Sequence, residues 1–223
     1  MKRQTLLLTS LCLLSQPVLA DRIIDDFKTG RIQNLKHKCG IQDQASRARV
    51  PGSFRWVRLQ INKPPKCEKG NPRSQSTSAE IRSGRLIVNN GFRVRSRTEI
   101  HYGRDHKGNK YPMNLDTTER SRRQGYLELS FSGSASGLNL NIVLGANGGK
   151  RASCGYNIPA KPRGFSIAFP LNKLRRVNGM RLADFKDIDY MDVIIQTAEG
   201  NFGLQQIKVT KKPRPSSIRV SRC

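Results

Sequence analysis

Aromatic residues and acids are what this 223-residue chain has little of: aromatics make up 6%, with a single tryptophan, and 16 Asp+Glu stand against 41 Lys+Arg. One tryptophan excludes a surface built from several stacked indoles. The acids are also unevenly placed, with none between Leu129 and Ala183. No CxxC pair occurs, which removes the usual spacing of a structural zinc site. No G-x-S-x-G elbow, H-E-x-x-H pair or phosphate-binding P-loop is present, so the signatures of common hydrolases and nucleotide enzymes are missing. No window carries a helical apolar stripe longer than two turns, and no apolar run approaches the ~20 residues of a membrane-spanning helix.

What is present begins with a leader pattern. Lys2 and Arg3 precede an apolar run from Leu6 to Leu14 and the small-residue sequence Val18-Leu19-Ala20, the build of a cleavable export signal over residues 1–20. The expectation is an exported protein, periplasmic or extracellular. Removing the leader takes away two cations and no acid, so the formal charge of +25 falls only to +23. The length suits one domain, residues 21–210, followed by a basic, proline-containing tail over 211–223.

Export makes disulfides the natural fate of the four remaining cysteines. Three pairings are possible; Cys39 with Cys67 and Cys154 with Cys223 are favoured, the first closing a loop-rich stretch and the second tying down the tail.

The dominant pattern is alternation with a period of two, which means strands. From Gly91 to Tyr102, Phe92, Val94, Ser96, Thr98, Ile100 and Tyr102 share one face, and Arg93, Arg95, Arg97, Glu99 and His101 the other. The same rhythm recurs at Leu127, Leu129 and Phe131; at Leu138, Leu140, Ile142 and Leu144; at Phe165, Ile167 and Phe169; and at Met191, Val193 and Ile195. Phe202 and Leu204 are followed by Ile207 and Val209, a slip of phase at Gln205-Gln206 that predicts a bulge. Phe54 and Trp56 run out of phase with Val57, Leu59 and Ile61, implying a bulge or two covered faces, with Trp56 read as core. Ser83-Gly84 has turn chemistry, and connectors are expected at 62–78, 103–114, 132–137, 145–164 and 211–217. The predicted fold is all-β, an antiparallel β-sandwich.

Ile24-Asp25-Asp26-Phe27 near one end, with Phe185-Lys186-Asp187-Ile188-Asp189 and Gly200-Asn201-Phe202-Gly203-Leu204 to Val209 near the other, resembles secreted bacterial β-sandwich domains of the galactose-binding-like, carbohydrate-binding-module type. That resemblance implies a jelly-roll and a glycan as partner. It also admits a structural calcium ion, with Asp25, Asp26, Asp187 and Asp189 as ligands if the first and last strands meet; no other cofactor is implied.

Charge is the main functional signal. Arg93, Arg95 and Arg97 form a ladder along one strand, with Arg82, Arg85, Arg55 and Arg58 as expected flanks. A cationic sheet face of this kind repels itself and binds a polyanion by releasing counterions. The expected function is non-catalytic recognition of an anionic polymer: an acidic polysaccharide, a cell-envelope component, or DNA without sequence specificity. The alternatives are a module for a neutral or acidic glycan using Tyr102, Tyr111, Tyr126 and Tyr156, and a glycan-active hydrolase using the aspartate pairs or the loop His101-Asp105-His106.

Overall fold

The computed structural model describes residues 21–33, 35–37, 41–61, 76–91, 94–105, 107–118 and 125–223. Residues 1–20, Cys39, Cys67, Arg93 and His106 lie outside them. Among the described residues the chain forms fifteen strands in two sheets, and no helix is long and apolar enough to cross a membrane.

The strands are β1 (Arg22–Asp25), β2 (Leu35–His37), β3 (Ile41–Arg47), β4 (Phe54–Ile61), β5 (Thr77–Arg82), β6 (Arg85–Asn90), β7 (Ser96–Tyr102) and β8 (Tyr126–Ser134). They continue with β9 (Leu138–Ala146), β10 (Lys150–Ile158), β11 (Phe165–Pro170), β12 (Arg175–Val177), β13 (Tyr190–Thr197), β14 (Gly200–Thr210) and β15 (Ile218–Arg219). The first sheet runs β15-β11-β8-β14-β6-β5-β2, with β1 also paired to β14; the second runs β12-β10-β9-β13-β7-β4-β3. Every pairing is antiparallel except that of β15 with β11. This is the antiparallel β-sandwich that the alternation predicts.

Period-two apolar positions dictate which side chains enter the core. Ile100, Leu140, Ile142, Val193 and Ile195 from the second sheet meet Leu129, Leu204 and Ile207 from the first, all fully buried. The slip in β14 is real: its register against β8 shifts around Leu204 and Gln206. Ser83 and Gly84 close the β5/β6 hairpin, both in the left-handed region that a tight two-residue turn requires.

Three expectations change. The stretch 145–164, read as a connector, contains β10, whose inward Ala152, Cys154, Tyr156 and Ile158 are diluted by small and polar neighbours. The strand read from Gly91 begins at Ser96. β4 keeps an unbroken register with both neighbours, so its mixed phase means two covered faces and not a bulge.

Beyond Thr210 the chain folds back as a strap. Lys212 N donates to Thr210 Oγ1, β15 lies along β11, and Val220 is buried with its N–H on Ala168 O. Cys223 then bonds to Cys154 on β10, with Cα atoms 4.8 Å apart. Because β15 belongs to the first sheet and β10 to the second, this bridge clamps the two layers together along one side. The other expected pair, Cys39 and Cys67, falls outside the described residues.

Candidate binding face

The register places the outward side chains of the second sheet in rows. Ala45, Trp56, His101, Asp192 and Val143 stand side by side across β3, β4, β7, β13 and β9. The next row is Asp43, Arg58, Glu99, Ile194 and Asn141; the one after carries Gln60, Arg97, Gln196, Asn139 and Asn157. All are outward because β7 buries Ser96, Thr98, Ile100 and Tyr102 and so turns Arg97, Glu99 and His101 the other way.

His101 is the centre of this face. Its Nδ1 lies 2.7 Å from Asp192 Oδ1 and its Nε2 3.0 Å from Glu99 Oε2. With a carboxylate at each ring nitrogen, only the imidazolium, a donor at both positions, satisfies the geometry. Burial works to lower the His101 pKa, but the hydrogen bonds to Asp192 and Glu99 outweigh it and the pKa is raised. The hydrogen bond from His101, helped by Arg97 and opposed by burial, brings Glu99 down to about 2. The Trp56 indole stacks on the imidazole with centroids 4.2 Å apart.

Guanidinium groups surround the three. Arg97 Nε bonds Glu99 Oε1, Arg104 Nη2 bonds Asp192 Oδ2 at 2.6 Å, and Arg58 lies over the Trp56 ring with Nη1 3.9 Å from Glu99. Arg104 also covers the Tyr190 ring at 4.8 Å. Tyr190 in turn lies flat on Gly145, where a methyl group would run into its ring. Glu99 and Asp192 are thus each engaged by cations already on the face, and the arginines keep spare donors. Arg47, Arg95, Arg151 and Arg175 add exposed charge around the rim.

Both nitrogens of His101 are occupied, so it is in no state to accept a proton, and Asp105 is engaged in its own loop with Lys107 N and Asn109 N. The hydrolase grouping of His101 with Asp105 therefore does not form, and His106 lies outside the described residues.

The expected arginines divide. Arg95, Arg97 and Arg58 share this face or its rim. Arg55, three positions before Arg58, points the opposite way: its side chain is fully buried, with Nη1 2.8 and 2.6 Å from the two Asp25 oxygens and Nη2 on the carbonyls of Thr29 and Gly30. It is out of reach of any surface ligand. Arg82 and Arg85 flank the β5/β6 turn in the first sheet, Arg82 against Glu80 at 3.3 Å, so they do not extend the ladder. Trp56, expected in the core, is buried instead beneath the outer face.

Two of the four aspartates expected to hold calcium, Asp25 and Asp26, have other partners. Asp25 is buried and binds Arg55, Tyr102 Oη at 2.7 Å and Phe27 N. Asp26 receives Lys28 N and its ammonium. Burial and the neighbouring Asp187 raise the Asp189 pKa. Among the described residues no group of three or more His, Cys, Asp or Glu is arranged to hold a metal. Of the tyrosines, Tyr102 is in the core and Tyr156 packs against the core cluster, while the Tyr111 ring lies tilted against Phe54.

No family model and no curated protein matches the chain. Solved structures that resemble it include the family 11 carbohydrate-binding module from Clostridium thermocellum, at 10% identity and TM-score 0.41 over 90% of this chain and 98% of that one. The exo-1,3/1,4-beta-glucanase from a Pseudoalteromonas species is similar at 15% identity and TM-score 0.39, over 75% of this chain and 17% of the enzyme. PfGH50B is similar at 10% identity and TM-score 0.43, over 62% of this chain and 22% of that one.

Proposed function

We propose that this face binds an acidic polysaccharide or a comparable envelope polymer, with Arg58 and Arg97 at its centre and Arg47, Arg95, Arg104 and Arg151 around them. The observation that carries the reading is the adjacency, in successive rows, of guanidinium groups and neutral amides. Gln60, Gln196, Asn139, Asn141 and Asn157 stand beside the arginines, with Asn139 Nδ2 already 2.7 Å from Asn157 Oδ1. Amides exchange hydrogen bonds with sugar hydroxyls, and guanidinium forks match carboxylate or sulfate groups. The amide row favours a glycan over DNA, whose backbone asks mainly for charge.

The reading requires no catalysis; recognition comes from many weak ion pairs made at once. It is tested by affinity for polygalacturonate against a neutral β-glucan. The expected result is binding of the acidic polymer that is lost by roughly half-molar salt and weakened at least tenfold in an Arg58→Ala/Arg97→Ala protein. Equal binding of the neutral glucan, or an unchanged affinity in the double variant, overturns it.

A further inference from the structure

A second cationic feature lies on the first sheet, away from the face just described. Where β8 begins, β14 ends and the strap turns back, Tyr126, Lys211, Lys212, Pro213, Arg214, Pro215 and Arg219 line an open cleft of about 520 Å³. Among the described residues none of the four cations has an ion-pair partner. The two nearby acids are committed elsewhere: Lys208 Nζ lies 2.6 Å from Asp21 Oδ2 and 3.2 Å from Glu128 Oε2.

The cleft is held in shape from beneath. Glu128 is fully buried, and its Oε1 accepts Arg214 N at 3.0 Å and Ser217 Oγ at 2.6 Å. Buried carboxylates of this kind are costly unless fully engaged, and here the engagement fixes the turn that presents Arg214. Pro213 is buried, Thr210 holds Lys212 from both sides of the turn, and β15, Val220 and the Cys154 to Cys223 bridge secure the far end. Basic tails are commonly solvated and mobile; this one is anchored at several points over 210–223. Like charges held together against their repulsion are relieved by a bound anion.

We propose that this cleft is a binding site for a phosphomonoester, with Lys212, Arg214 and Arg219 as its principal donors, Lys211 beside them, and Tyr126 and Pro215 walling the carbon skeleton that bears the phosphate. A compact dianion fits better than a single carboxylate because four cationic residues line one cleft, and a tetrahedral group offers several oxygens to their donors. The site is separate from the sheet face and does not depend on it: one takes repeated charge along a chain, the other a single dense charge at one point.

The test is calorimetric titration of the purified protein with glucose 6-phosphate, with glucose as control, and sedimentation with phosphatidylcholine vesicles with and without phosphatidic acid. Expected is binding of glucose 6-phosphate and not of glucose, weakened about tenfold by each of Lys212→Ala, Arg214→Ala and Arg219→Ala. Arg214→Ala keeps the backbone bond to Glu128, and the exposed positions of all three predict an unchanged melting temperature, which is measured alongside. Co-sedimentation only with phosphatidic acid vesicles, sensitive to the same substitutions, places the phosphate on a lipid headgroup and also supports the site. Absence of binding to both phosphate probes at low salt overturns it. So does an affinity unchanged in the triple variant, or one lost equally in Arg58→Ala/Arg97→Ala, which assigns the binding to the other sheet.

Discussion

The Arg55 guanidinium and the Asp25 carboxylate meet 2.6 Å apart with no exposure to solvent on the arginine side, and the Tyr102 hydroxyl completes the carboxylate's partners at 2.7 Å. This buried pair ties the first strand of one sheet to the fourth and seventh strands of the other. Burial and the Asp25 charge push the Tyr102 phenol well above its usual range, so it stays a neutral donor.

Removing one member leaves the other charged and unpaired in the core. Asp25→Ala or Arg55→Met is expected to cost about 3–5 kcal/mol, read from the urea midpoint. The double variant should recover part of that loss, and a double variant as unstable as the sum of the singles would show that the two are not coupled.

The cluster around His101 predicts a two-sided pH profile. Glu99 falls from 4.5 to about 2 on folding, so its contribution is present above pH 4.5 and is lost as pH falls through about 2. His101 moves up from 6.5, so its contribution is present below pH 6.5 and is lost as pH rises through its raised value. The melting temperature should therefore hold between these limits and decline on either side. The groups facing the ring are Glu99, Asp192 and Trp56, with Arg97, Arg58 and Arg104 behind the carboxylates. His101→Gln should abolish the alkaline decline. Emission from Trp56, the chain's sole tryptophan, should titrate with the same midpoint in the wild type.

The bond from Cys154 to Cys223 closes a loop with a sequence separation of 69. On loop entropy, its loss through Cys223→Ser is worth up to about 4 kcal/mol. The melting temperature of the wild type should fall on adding reductant, and that of the variant should not respond through this bond.

Gly145 lets Tyr190 lie against the sheet, and Tyr190 supports Arg104 above it. Gly145→Ala should cost about 1–3 kcal/mol by overpacking. Because Arg104 then loses its platform, polygalacturonate affinity should fall as well, whereas glucose 6-phosphate binding at the strap should not change.

Much of the core was readable because β9 and β13 alternate cleanly with one apolar phase each, and β7 alternates charged residues with Ser96, Thr98, Ile100 and Tyr102. The bulge in β14 was readable for the same reason, since Leu204 and Ile207 cannot otherwise share a face. The direction of Arg55 was harder: on a strand covered on both faces, apolar residues do not say which side is core, and only the odd spacing from Arg58 shows that the two diverge. That Arg97, Glu99 and His101 share a face follows from the period alone. That Asp192 stands beside His101 does not, because strand order is set by long-range pairing. The same limit separated Arg82 and Arg85 from the ladder they were expected to flank.

The pairing of β1 with β14 joins residues at opposite ends of the described chain, and the Lys208 to Asp21 contact spans 187 positions. β14 also carries β6 and β8, so the first sheet has no middle until this late strand exists. A nascent chain is therefore unable to complete either its first strand's hydrogen bonds or its core before nearly all of the sequence is available. Acquisition of structure is a late, concerted event with slow kinetics set by non-local contacts. Truncations that remove β14 should therefore yield no folded fragment, checked by circular dichroism.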